Sequence, residues 1–221
     1  MATSIPLPLQ TLSDEDVASR VLAGETSLYE LLMRRYNQRL YRVAYSILRD
    51  AAEAEDVMQD AYVRAYEHLS QFAGRARFST WLTRIAVHEG LARLEKRKRL
   101  DSFDDVGEPQ EYAESNAPSP EEEVSQMETR ALIEQVILSL PEAYRIVVTL
   151  REVEQLSTAD TAAALGLSEE NVKVRLHRAR NLMREELYAK LGASAPQAFP
   201  FMGERCDSMV SRVLARISGA R

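Results

Sequence analysis

The chain has 221 residues, 45% of them hydrophobic and 28% charged, enough apolar content to bury a core and too much to be disordered throughout. Its single cysteine, Cys206, excludes a disulfide framework or a multi-cysteine metal site, and His68, His88 and His177 lack ligand spacing, so no metal or cofactor is expected. The formal net charge of −6 argues, taken alone, against a nucleic-acid partner. No apolar run reaches the roughly 18 residues needed to cross a bilayer. The opening MATSIPLPLQ lacks the basic start and apolar stretch of a secretion signal. These features predict a soluble cytoplasmic protein without membrane insertion.

Residues 1–12 carry Pro6 and Pro8 and read as a flexible N-terminus. Ser13, followed by Asp14, Glu15 and Asp16, starts a helix, with a hydroxyl cap and acids at the positive end of the dipole. Gly24 is a stop. Leu28, Leu31, Leu32, Tyr36, Leu40, Val43, Ala44 and Ile47 recur at helical spacing. Asp50 and Glu53 cap the next helix, whose apolar face runs through Ala54, Val57, Met58, Ala61, Tyr62, Ala65 and Leu69. From Asp50 to Glu67 there are six acidic residues and one basic. A polar loop, Gln71 to Arg77, contains Gly74. Ser79 or Thr80 then caps a helix through Trp81, Leu82, Ile85, Ala86 and Leu91, with Trp81 read as core. It ends in Lys96-Arg97-Lys98-Arg99, and Arg75 to Arg99 holds eight basic residues against two acidic. Gly90 is unfavourable inside a helix and marks either a close approach or a kink.

Residues 101–124 form the linker, with Pro109, Pro118 and Pro120 and little periodic apolar content. Asp101 to Glu128 holds ten acidic residues and no basic one. A second helical domain, 125–191, begins with the stripe Leu132, Val136, Ile137 and Leu140. Pro141 suits a first helical turn, and Tyr144, Val147, Val148 and Leu150 continue the core. Beyond Gly192, residues 192–221 make a linker and a tail helix carrying Cys206, Met209, Val210, Val213, Leu214 and Ile217. The pattern predicts an all-α protein. Two small helical domains, 13–100 and 125–191, are joined by an acidic flexible linker, with an amphipathic tail helix at the end.

Ser157 to Arg180 reads as a helix-turn-helix. Ser157 and Asp160 form a capping box, Thr158 to Ala164 a short helix, Leu165-Gly166-Leu167 the turn, and Ser168 the cap of a longer helix. Val172, Leu176, Ala179 and Met183 fall on one face. The opposite side offers Glu170, Asn171, Lys173, Val174, His177, Arg178 and Asn181. From Lys173 to Arg184 there are five basic residues and no acidic one. A buried stripe opposite a polar, basic face suits a helix lying in the major groove, and a local basic stripe holds phosphates whatever the net charge.

The line LPEAYRIVVTLREVEQLSTADTAAALGLSEENVKVRLHRAR resembles the C-terminal promoter-binding domain of bacterial sigma factors of the sigma-seventy family. The line AEAEDVMQDAYVRAYEHLSQFAGRARFSTWLTRIAVHEGLARLEKRKR is similar to the family's other domain. The order, the spacing and the short length resemble the extracytoplasmic-function group. The likeness covers roughly residues 15–100 and 125–190. It implies that Asp56, Gln59 and Asp60, matching the pattern D-x-x-Q-[DE], bind core RNA polymerase. It implies that the segment Phe72 to Phe78 and the following helix open the −10 promoter element. There Arg75 and Arg77 track phosphates, Phe72 and Phe78 line a base pocket, and Arg84, His88 and Arg93 contact DNA. Many relatives carry asparagine where this chain has His88. In the second domain it implies that Asn171, Lys173, Val174, His177 and Arg178 read the −35 element, with Arg175 and Arg180 on phosphates. The implied partners are core polymerase, promoter DNA and an anti-sigma factor. The acidic linker is either a nucleic-acid mimic near the RNA exit path or a solvated tether.

Three other readings compete. A helix-turn-helix regulator acting without polymerase would need no Asp56–Asp60 pattern. A sigma mimic that only engages an anti-sigma factor would lose the basic face from Lys173 to Arg184. An enzyme would need a pocket motif, phosphate loop or metal cluster, and none is found, so no catalytic residue is assigned.

Overall fold

A computed structural model describes residues 11–72, 74, 76–101, 121–192, 209 and 212. Most of the expected linker and tail, Arg75 and Cys206 therefore lie outside the described residues. The described elements are all helical. They are α1 (Asp14–Leu22), a 3₁₀ turn (Thr26–Leu28), α2 (Tyr29–Leu48), α3 (Ala51–Glu67), a second 3₁₀ turn (Leu69–Gln71), α4 (Phe78–Asp101), α5 (Glu121–Ser139), α6 (Glu142–Val148), a π-helical turn (Thr149–Val153), α7 (Thr158–Leu165) and α8 (Glu169–Gly192). The chain divides into two compact units, Met1–Met183 and Arg184–Arg221.

Local chemistry sets the helix ends. Ser13 Oγ accepts from the Asp16 amide (3.1 Å), Asp50 Oδ1 from the Glu53 amide (2.8 Å) and Ser157 Oγ from the Asp160 amide (3.0 Å). Each satisfies an amide that the helix cannot. Gly166 ends α7 at φ +63°, a left-handed conformation that glycine adopts without strain. Two ends differ from the expected ones. Helix α4 begins at Phe78, ahead of both Ser79 and Thr80, and the Arg77 carbonyl accepts from the amides of Thr80 (3.0 Å) and Trp81 (3.1 Å). Burial of Phe78, 1% exposed, anchors that first turn and overrides the hydroxyl caps. Pro141 stands one position earlier than expected, as the residue preceding α6.

Helices α2, α3 and α4 pack against one another, with α1 against α2 and the two 3₁₀ turns. One apolar cluster joins α1 to this bundle through Val17, Leu32, Leu40, Ala61, Phe78 and Leu82. Within it, the Tyr29 hydroxyl donates to the Tyr62 carbonyl (2.9 Å), and the Tyr62 hydroxyl to the Met33 carbonyl (3.0 Å). Burial raises both phenol pKa values, so both stay neutral donors. A second cluster holds the helix-turn-helix together through Leu140, Val147, Val148, Val172, Leu176 and Ala179. A third spans both helical groups: Ile47, Leu48 and Leu94 from the first meet Ile146, Leu150 and Leu156 from the second.

Gly90 marks a close approach. A Cβ there would stand 2.9 Å from Cδ1 of Ile47, which is itself 1% exposed. Alanine gains about 1 kcal/mol of helix propensity and displaces one terminal methyl, so the two effects largely offset. A larger side chain gains no more and must push α2 away from α4. Gly90→Leu is expected to lower the unfolding free energy on the order of 3 kcal/mol, read from urea denaturation, with Gly90→Ala near wild type.

Candidate nucleic-acid and polymerase interfaces

Helix α3 buries Ala54, Val57 and Ala61, which turns Asp56, Gln59 and Asp60 outward. The two carboxylates are 56% and 64% exposed, an acidic face open to a basic partner. Arg93 of α4, expected among the DNA contacts, reaches this face instead. Its guanidinium lies 2.9 Å from Asp56 and 3.7 Å from Asp60. The first distance is an ion pair with a hydrogen bond.

The second 3₁₀ turn, the loop and the start of α4 enclose a cleft of about 420 Å³, lined by Gln71, Phe72, Trp81, Arg84, Ile85 and His88. Its floor is aromatic. Phe72 meets Phe78 edge-on, with centroids 5.3 Å apart, and Trp81 lies 5.5 Å from Phe72 and 5.6 Å from Phe78. Phe78 itself is buried and also contacts Tyr36, so it supports the floor and does not face the cleft. Of the two phenylalanines expected at a base pocket, Phe72 is among the residues lining this cleft and Phe78 is not. Trp81, read from the sequence as core, is half-buried and lines the cleft. Its signal was its position one turn before Arg84 and Ile85 on the same helix face, which periodicity alone does not separate from core. Arg77 and His88 are exposed, and Arg84 is half-buried. The cleft thus combines apolar ring faces with polar groups at its edge, the pairing that holds an unstacked base.

On α8 the expected division of faces is present. Val172, Leu176 and Ala179 are buried, while Asn171, Lys173, Val174, His177 and Arg178 are exposed. Ser168 Oγ accepts from the Asn171 amide at 3.2 Å, capping the helix so that these side chains start at its first turn. Arg175 is half-buried. Arg180, expected on phosphate, pairs with Glu152 of the π turn at 2.5 Å. That partner is 28 residues away and no local pattern announces it.

Both helical groups match a known protein family. The family description Sigma-70 region 2 matches residues 32–100, and Sigma-70 region 4 matches residues 130–183. The chain therefore belongs to the sigma-70 family of RNA polymerase sigma factors. Over 180 residues it is 34% identical to the RNA polymerase sigma-H factor of Pseudomonas aeruginosa, covering 79% of this chain and 93% of that one. It is 32% identical over 174 residues to the ECF RNA polymerase sigma factor SigW of Bacillus subtilis, covering 76% and 93%. The ECF RNA polymerase sigma-E factor of Escherichia coli is 32% identical over 179 residues, covering 77% and 92%. The fold is shared with RpoE of Bartonella quintana, solved with the anti-sigma factor NepR. There the TM-score is 0.60 at 23% identity, over 72% of this chain and 96% of that one. It is shared also with CnrH in complex with the cytosolic domain of CnrY, at TM-score 0.53 and 24% identity, over 80% and 97%.

Proposed function

We propose that this chain is an extracytoplasmic-function sigma factor that binds core RNA polymerase and directs it to promoters carrying its own −10 and −35 elements. The observation that carries this reading is the presence, in family order, of an exposed acidic α3 face, an aromatic cleft at the start of α4, and a capped α8 with a basic outer face. Asp56, Gln59 and Asp60 meet the polymerase, with Arg93 hydrogen-bonded to Asp56. Phe72 and Trp81 take the extruded base of the −10 element, with Arg84 and His88 at its polar edge and Arg77 on the backbone. Asn171, Lys173, Val174, His177 and Arg178 read the −35 duplex, with Arg175 beside them on phosphate. The chain supplies no catalytic group, and phosphodiester formation belongs to the polymerase. Its place of action is the cytoplasm, where polymerase and chromosome meet. The two solved proteins of like fold are each bound to another protein, one to an anti-sigma factor, which supports control of this chain in the same way.

The test is run-off transcription with purified chain, bacterial core polymerase and genomic fragments that include its upstream region. A discrete start site that depends on the chain is expected. The absence of any transcript together with the absence of co-purification with core polymerase would refute the reading.

Arg178 and Arg180 separate base reading from framework. Arg178→Ala is expected to weaken −35 duplex binding by roughly 1–3 kcal/mol and to relax sequence preference, with polymerase binding unchanged. Arg180→Ala should change affinity much less, since its guanidinium already serves Glu152. Competition binding on a library of −35 variants reads both. Equal loss in the two would overturn the division.

A further inference from the structure

The first turns of α4 place Trp81, Arg84, Ile85 and His88 on one side of the helix, at the spacing i, i+3, i+4 and i+7. Leu82, Ala86 and Val87 are buried on the other side. The side with Trp81 lines the cleft together with Gln71 and Phe72. The rings hold a flat apolar molecule of any sequence. The polar groups beside them decide which base it is. The other arginines of α4 are engaged by carboxylates: Arg93 by Asp56 at 2.9 Å, Arg97 by Glu53 at 3.0 Å and Arg99 by Glu95 at 3.5 Å. Arg84 has no such partner among the described residues, although it is half-buried. A guanidinium drawn partly out of water without an acceptor costs free energy, so a ligand that brings acceptors to it is favoured. Gln71 is constrained as well. Its amide nitrogen lies 3.0 Å from Nδ1 of His68, which leaves its carbonyl oxygen to accept from a ligand.

A guanidinium is a planar fork of donors, and it matches two acceptors side by side on one edge. Guanine presents such a pair in O6 and N7, and cytosine in O2 and N3. Adenine sets its amine between N1 and N7, and thymine sets its N3–H donor between two carbonyls, so neither fits the fork. In a duplex the cytosine pair is hidden in base pairing, whereas an extruded base exposes it. Guanine and cytosine each carry an exocyclic amine too, the kind of donor that the Gln71 carbonyl accepts.

We propose that the cleft at the start of α4 selects guanine or cytosine as the extruded base, and that Arg84 makes the selection. The proposal rests on the promoter-reading function above and names the base which that site takes.

Trp81 is the single tryptophan of the chain, so its fluorescence reports on this cleft. The experiment titrates the full chain with short single strands in which one base, guanine, cytosine, adenine or thymine, is flanked by abasic sites. A base stacked on the indole quenches it. Half-maximal quenching is expected at concentrations at least about fivefold lower for the guanine or the cytosine strand than for the adenine and thymine strands, the effect of one bidentate base contact. The lower midpoint of the first two identifies which of them the cleft takes. Arg84→Lys keeps the charge and loses the fork, so its preference should vanish, whereas an arginine used only on phosphate would be replaced by lysine with the preference intact. Arg84→Gln presents an amide that pairs with N6 and N7 of adenine and should move the preference to adenine, a gain that misfolding cannot produce. Quenching of the wild type by adenine or thymine at equal or lower concentration would overturn the proposal. So would a preference retained in Arg84→Lys, or quenching no stronger than that of a wholly abasic strand. Run-off transcription separates this from the broader reading. A wild type that directs transcription without the base preference loses the assignment of Arg84 alone. A wild type that shows the preference and directs no transcript loses the promoter-reading function instead.

Discussion

Asp60→Arg is expected to remove binding to core polymerase while leaving the fold intact. Asp60 is 64% exposed, and the packing of this helix comes from Ala54, Val57, Ala61, Tyr62 and Ala65. Among the described residues its ion-pair partner is Arg93, at 3.7 Å and open to solvent, so the native pair is weak. At an interface with a basic partner, the reversed charge replaces an attraction with a like-charge juxtaposition, which costs several kcal/mol. It also places a second guanidinium next to Arg93 and loosens its hold on Asp56. Asp60→Asn removes the attraction without adding repulsion, so its loss should be intermediate. Fluorescence anisotropy of labelled chain against core polymerase measures all three proteins, and thermal melting checks the fold. Wild-type affinity in Asp60→Arg would remove the acidic α3 face from the interface. A melting temperature lowered in step with affinity would move the explanation to stability.

What could be read from the sequence depended on how far away each residue's partner lies. Ser13, Asp50 and Ser157 cap amides three residues on, and each was legible from spacing alone. The α8 stripe Val172, Leu176 and Ala179 was legible for the same reason, since one helix face carries it. Phe78 and Trp81 were not separable in this way. Both are large aromatics at one helix start, and only their packing against Phe72 and Tyr36 puts the first beneath the cleft and the second on its wall. Arg93 belongs to a basic run, so composition alone pointed it toward DNA. Its partners Asp56 and Asp60 are 37 and 33 residues earlier. Glu154 was invisible in a sequence with many exposed glutamates, because nothing near it hints that α2 supplies two arginines to bury it. The resemblance of two segments to a family named the function, but only the folded chain shows which charges are already spent on one another.

Trp81→Leu is expected to cripple promoter melting while leaving both duplex binding and polymerase binding in place. Leucine keeps an apolar body beside Phe72 and Phe78 and so preserves most of the burial, but it removes the ring face. Stacking a base on an aromatic side chain is worth about 1–3 kcal/mol, which is roughly 5- to 150-fold in the equilibrium for the opened state. Trp81→Phe restores a ring and should recover most of the loss, and an unchanged melting temperature in Trp81→Leu separates this from a packing role. Permanganate reactivity of thymines in the −10 element reads melting directly, and gel retention of the closed complex reads duplex binding. Helix α8 lies on other elements and should bind its half of the promoter as before. If Trp81→Leu opens promoters like wild type, the tryptophan is only part of the aromatic floor. Phe72 would then be left to carry the base alone, and Phe72→Leu would have to show the defect.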